Sequence, residues 1–218
     1  MNCRRTLEER IARFEAAILY PVITPEFCGG RPVLEVTEAV LSGGAKLFQL
    51  RWKNPDSDAA LFELAVRAME LAEKYDALMI IDDRIDIALA SGADGVHVGQ
   101  EDIPLKAARS IAPQLLTGIS THNAEEIRAA HRDGAGYLNV GPIFSTSTKL
   151  VSYPEVGMEN LRRYILEIKI PFSVMGGIKE HHLPAFRELG VKRPAMVTGI
   201  TAANDIEATV KKMLKLLQ

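Results

Sequence analysis

The chain is poor in cysteine, with Cys3 and Cys28 the only two in 218 residues. They lack metal-ligand spacing and are too few for a disulfide framework, so a reducing cytoplasm is the expected compartment. No apolar run approaches about 18 residues, so no membrane span is expected. Nor is there a basic block: 26 Lys and Arg face 28 Asp and Glu, for a net charge of -2. That balance argues against a nucleic-acid partner. Glu8, Glu9 and Glu15 interrupt any apolar stretch near the start, so a signal peptide is not expected. Linkers and low-complexity segments are also missing.

What is present is a regular alternation. The hydrophobic fraction of 47% and charged fraction of 25% are those of a globular protein. Short apolar runs at 19–23, 47–50, 78–81, 95–98, 116–119, 137–140, 172–175 and 195–197 read as strands. Helical patterns fall between them, clearest at 59–74, at 124–133 behind Asn123 as N-cap, and at 205–217. The strand runs are too apolar for one wet face, as expected when helices cover a parallel sheet. Eight such units in one chain predict an α/β fold, a single (β/α)₈ TIM barrel over 18–218. Residues 1–17 precede it as a helical extension. There Thr6 and Glu9 can form a capping box, and Leu7, Ile11, Phe14 and Ile18 share a face. This helix is expected to pack on the barrel or on another subunit, which leaves a homo-oligomer open. Gly-Ala recurs before strands at Gly44, Gly92 and Gly134, where glycine can end a helix in a left-handed turn.

Polar residues gather at the strand ends, where a barrel builds its active site. Gln49, Arg51 and Lys53 alternate and so point the same way; Arg51 offers a fork and Lys53 a point charge to phosphate. A plain surface ion pair is the competing reading. Asp82 and Asp83 repel each other after a buried run, and with Asp102 they suit Mg²⁺. Alternatively, Asp83 or Asp86 caps the next helix and pairs with Arg84. His97 lies within a strand, either as a satisfied core residue or in contact with substrate. Ser120 is a candidate phosphate donor, and His122 ends the same strand. His131, His181 and His182 read as helix-surface residues. The loop from Gly141 to Lys149 carries Thr146, Ser147, Thr148 and Lys149, an anion-binding set. Gly176-Gly177 and Val197-Thr198-Gly199 follow the last two strands, where barrels often hold phosphate. Together these groups suggest a metal-assisted site for phosphorylated substrates.

The set resembles the thiamine phosphate synthase family. The matching pieces are Gln49 to Lys53, Asp82 to Ala88, Gly92 to Asp102, Gly118 to His122, the loop 141–149, and Gly176 to Ile178. They run in the family's order over roughly residues 19 to 200. The resemblance implies a transferase that joins hydroxymethylpyrimidine diphosphate to thiazole phosphate, releasing pyrophosphate. It implies Mg²⁺ on Asp83 and Asp102, and the pyrimidine diphosphate on Gln49, Arg51, Lys53, Ser120 and Lys149. Thr146, Ser147, Thr148, Gly177, Val197 and Thr198 would hold the thiazole phosphate.

Three departures stand out. Asp82 replaces the family's usual Asn, and an extra charge about 4 Å from another is worth roughly 4 kcal/mol at an effective dielectric near 20. Further coordination of Mg²⁺ or protonation of Asp82 would offset it. Ser145 replaces a usual proline, and Lys192-Arg193-Pro194 replaces a small, Gly-containing segment. The related thiazole tautomerase is one alternative, but Pro142 stands where that family uses a histidine. A barrel that binds phosphorylated ligands without turnover is the other.

Overall fold

A computed structural model describes residues 5–146 and 153–218. The chain begins with helix α1, Leu7–Ala16, and then alternates strands and helices. In order these are β1 Tyr20–Ile23, α2 Val33–Ser42, β2 Leu47–Leu50, α3 Asp58–Lys74, β3 Leu78–Asp82 and α4 Ile85–Ser91. Then come β4 Gly95–Val98, α5 Leu105–Ile111, β5 Leu116–Thr121, α6 Ala124–Asp133, β6 Tyr137–Val140 and α7 Gly157–Glu167. The last are β7 Phe172–Val174, α8 Leu183–Glu188, β8 Ala195–Met196, α9 Thr198–Thr201 and α10 Ile206–Leu217. All strand pairs are parallel, in the order β7-β6-β5-β4-β3-β2-β1-β8. A single parallel bridge between Val174 and Pro194 joins the two edges and closes the barrel.

Helix starts follow local chemistry. Thr6 and Glu9 form the capping box, with Thr6 N donating to Glu9 at 2.7 Å and Glu9 N to Thr6 Oγ1 at 3.2 Å. Ser57, Asn123 and Asp205 each accept a bond from the first turn of α3, α6 and α10. Gly92 and Gly134 end α4 and α6 with φ of 75° and 77°, the left-handed stop their positions suggested. Several strand limits differ from the apolar runs. β3 and β5 extend to Asp82 and Thr121, because polar residues continue the ladder into the site. β7 and β8 stop one residue early, and the extra one-turn α9 follows β8.

Alternation along each strand divides the apolar residues into two cores. One, including Phe48, Met79, Ile81, Val96, Leu138 and Val140, lies under the helices. The other fills the barrel: Tyr20, Val22, Leu47, Leu78, Ile80, Leu116, Tyr137 and Ala195. Phe14 of α1 belongs to this inner core, fully buried with its ring 4.1 Å from that of Tyr137. The helix therefore packs on its own barrel and stoppers the end where the strands begin.

Ion pairs hold that stopper. Asp94 is 1% exposed, 2.9 Å from Arg5 Nη1 and 3.6 Å from Arg10 Nε, and accepts Met79 N. Asp94 sits in the longest matching motif, yet its work is at the end opposite the polar strand ends. Arg193, in the departing segment, donates to the carbonyls of Glu15 and Phe172 at 2.6 and 2.9 Å, with its guanidinium over the Phe14 ring. Removing one partner of a buried charge cluster typically costs about 3–5 kcal/mol. Asp94→Ala is expected to lower unfolding stability by about that amount, measured by urea denaturation of both proteins; a loss under 1 kcal/mol would mean the cluster is dispensable.

Candidate active site

The inner face changes character along each strand. On β2, Leu47 is followed two residues later by Gln49, then by Arg51 and Lys53 beyond the strand. On β3, Leu78 and Ile80 lead to Asp82; on β4, Gly95 leads to His97; on β5, Leu116 and Gly118 lead to Ser120 and His122. Parallel pairing sets Asp82 beside His97 and Ser120 beside Asn139. One cavity at the strand C-termini is lined by Gln49, Arg51, Lys53, Asp82, Asp83, His97, Asp102, Ser120, Thr146 and Val197, ten residues singled out from sequence.

The cations and carboxylates meet directly. Lys53 Nζ lies 2.9 Å from Asp82 and also contacts Asp83, and Arg51 Nε lies 3.4 Å from Asp82. The extra charge of Asp82 is thus offset by Arg51 and Lys53, a compensation distinct from coordination or protonation. Asp83 has φ of 57°, a left-handed conformation that aspartate tolerates better than most side chains. Its N–H donates to the His97 carbonyl at 2.8 Å. Burial, then the neighbouring Asp82 charge, push Asp83 up to about 6 against the opposing pull of Lys53. Asp102, whose Oδ2 accepts Gly99 N at 2.7 Å, is a further neighbour that raises the Asp83 carboxyl.

Asp86 stands apart, gripped by Arg84, which also holds Asp58. Neither Asp83 nor Asp86 caps α4, whose N-cap is Arg84 without a side-chain bond. His97 is engaged through both ring nitrogens, with Tyr137 Oη and Ser120 Oγ each at 2.9 Å. His122 stacks on Tyr153 at 3.6 Å and bonds Glu126. His182 stacks on Phe144, so it is more than a helix-surface residue.

Two expected ligands lie off the cavity wall drawn by the described residues. Gly177 has φ of 62°, and a Cβ there would meet Ser145 O at 2.3 Å, so it lets two loops touch. Thr198 is exposed at the start of α9. Ser147, Thr148 and Lys149 fall outside the described residues. Tyr20, Tyr137 and Asn139 were not marked from sequence as functional, since each reads simply as part of a strand. Only their inward position shows that they support or line the site.

A parallel barrel with this charged, acid-and-base rim is a phosphate-handling enzyme scaffold. The family model described as Thiamine monophosphate synthase matches residues 19–200, and the chain belongs to that family. It is 37% identical to the thiamine-phosphate synthase of Caldicellulosiruptor saccharolyticus, over 97% of this chain and 96% of that one. It is 39% identical to that of Shouchella clausii, covering 92% and 96%. Thiamine phosphate pyrophosphorylase from Pyrococcus furiosus has a similar solved structure, with a TM-score of 0.85, 33% identity, and coverage of 94% and 96%.

Because the folded Asp83 carboxyl is raised above the usual value near 4, its contribution to stability is greatest below that pH and is lost as pH rises through about 6. Carboxyl NMR of the ligand-free protein is expected to give Asp83 a midpoint near 6, moved lower by Asp82→Asn. An unmoved midpoint would remove Asp82 as a cause.

Proposed function

We propose that this chain is a thiamine-phosphate synthase, a transferase acting on hydroxymethylpyrimidine diphosphate and thiazole phosphate, built as a catalytic barrel with an N-terminal helical extension. The observation that carries the reading is the meeting of Arg51, Lys53, Asp83 and Asp102 at one rim, in a member of that family. In the reaction the bond from the pyrimidine methylene carbon to the diphosphate oxygen breaks, and the pair of electrons leaves with pyrophosphate. The thiazole nitrogen supplies the pair for the new carbon–nitrogen bond. No protein nucleophile and no strong base are required.

Charge builds on the departing pyrophosphate, and fixed cations stabilise it most where water is excluded. Arg51 and Lys53 fill that role from the loop after β2, and Lys149 joins them in the reading drawn from sequence. Lys53, held between Asp82 and Asp83 without substrate, would turn to the diphosphate when it binds. Two carboxyls on one cavity wall, with the Asp83 pKa raised by burial and by neighbouring carboxylates, suit a divalent cation, since the ion relieves their repulsion. Asp83 and Asp102 would therefore hold Mg²⁺, which when bound supplies charge stabilisation for the diphosphate. Gln49 and Ser120 orient the pyrimidine diphosphate, with His97 behind Ser120. Thr146 and Val197 receive the thiazole phosphate from the cavity wall, and the reading drawn from sequence adds Ser147, Thr148, Gly177 and Thr198.

The test is product formation from the two substrates with Mg²⁺, with thiamine phosphate read after oxidation to its fluorescent form. Chelator-sensitive product is expected. Binding of the pyrimidine diphosphate without product would instead identify a non-catalytic barrel. Lys149→Ala is expected to lower turnover by about a hundredfold or more, the order seen when one transition-state charge contact is removed, with unchanged circular dichroism. Asp82→Asn is expected to preserve or raise activity; complete loss would make Asp82 indispensable.

A further inference from the structure

Four hydrogen bonds cross the barrel interior beneath the cavity. Gln49 Nε2 donates to Tyr20 Oη at 3.1 Å, Tyr20 Oη lies 3.0 Å from Tyr137 Oη, and Tyr137 Oη lies 2.9 Å from His97 Nδ1. His97 Nε2 then lies 2.9 Å from Ser120 Oγ. Residues from five strands take part, all of them buried. Room for the chain is built in: a Cβ on Gly118 would sit 2.0 Å from the Tyr137 ring. From below, Phe14 packs at a tilt of 31° on Tyr137 and meets Tyr20 edge-on.

The direction of this chain follows from counting hydrogens. Both phenols are pushed well above their ordinary range, chiefly by burial, so each keeps its proton and can donate it. Tyr20 already accepts from Gln49. If Tyr137 also donated to Tyr20, the Tyr20 hydrogen would be left buried without an acceptor among these groups, a costly arrangement. Tyr20 therefore donates to Tyr137, and Tyr137 donates to His97 Nδ1. An imidazole whose Nδ1 accepts carries its proton on Nε2, which donates to Ser120 Oγ. The Ser120 hydrogen remains to be given away, and Ser120 lines the cavity.

We infer that Tyr20, Tyr137 and His97 are positioning residues forming a one-way chain that holds Ser120 as a hydrogen-bond donor toward an acceptor atom of the pyrimidine diphosphate. The inference rests on the substrate role proposed above for Ser120. Were the Gln49 amide turned to place Oε1 on Tyr20, every bond would reverse and Ser120 would spend its hydrogen on His97. The roles of Gln49 and Ser120 are thus coupled across the barrel.

Nitrogen-15 NMR of the full chain at pH 8 tests the polarity without any turnover. The neutral His97 ring is expected as the Nε2–H tautomer; the Nδ1–H tautomer would overturn the inference, even if Tyr137→Phe fails to fold. Steady-state kinetics tests the consequence. Tyr137→Phe keeps the ring but removes the bond to Nδ1, and is expected to raise KM for the pyrimidine diphosphate about tenfold, while KM for thiazole phosphate is unchanged. Adding Ser120→Ala to Tyr137→Phe is expected to cost nothing beyond Ser120→Ala alone, because both act through one hydroxyl. Additive losses, or equal changes in both KM values, would reduce Tyr137 to a packing role. Absence of all turnover with an Nε2–H ring would refute the proposed activity and leave the chain's polarity standing.

Discussion

Parallel pairing of every strand is the constraint on which the molecule depends. Since all eight strands run one way, each inner face ends at the same rim, whatever its place in sequence. Residues as distant as Gln49 and Val197 then share one cavity. The same arrangement puts all strand starts at the other end, where Phe14 enters the inner core and Asp94 binds Arg5 and Arg10. Function and closure are thereby separated along the barrel axis.

Electrostatics at the rim is organised around a mutual neutralisation. Asp82, Asp83 and Asp102 outnumber Arg51 and Lys53, and Lys53 bridges two of the acids. Arg51, Asp82 and Asp83 are half-buried and Lys53 and Asp102 exposed, so solvent partly screens these pairs and each is individually weak. A diphosphate with a divalent cation brings both signs of charge, which allows such a cluster to re-pair. Asp82 fits this picture because both cations just beyond β2 reach it.

Beneath the charges lies a neutral layer. Tyr20, Tyr137 and His97 join the apolar floor to the polar rim, with the two tyrosine rings against Phe14 and polar atoms toward Gln49 and Ser120. Such networks are favourable when every member is satisfied, since an unpaired buried polar group is costly. The N-terminal helix, through Phe14, thus supports the aromatic layer on which the site rests.

Local pattern was enough to mark the eight strands, the capped helices and the family motifs, because period-two and helical spacing, N-caps and strand-end polarity are properties of neighbouring residues. The charges of Arg51, Lys53, Asp83 and Asp102 were legible for the same reason: polar groups directly after apolar runs stand out. Tyr137 gave no such signal, as an aromatic residue in a strand is ordinary. Its role arises from the register that sets it opposite Gly118 and from a hydrogen bond to His97 forty residues away. Arg193 likewise read as a departure until its contacts with Glu15 and Phe172 placed it at the helix stopper. Sequence by itself determined the alternating elements and the chemistry available at the strand ends, since both are written in adjacent residues. Tertiary structure alone decided which charges neutralise which, that α1 closes its own barrel, and how Gln49 is joined to Ser120, because each depends on distances between strands that only closure creates.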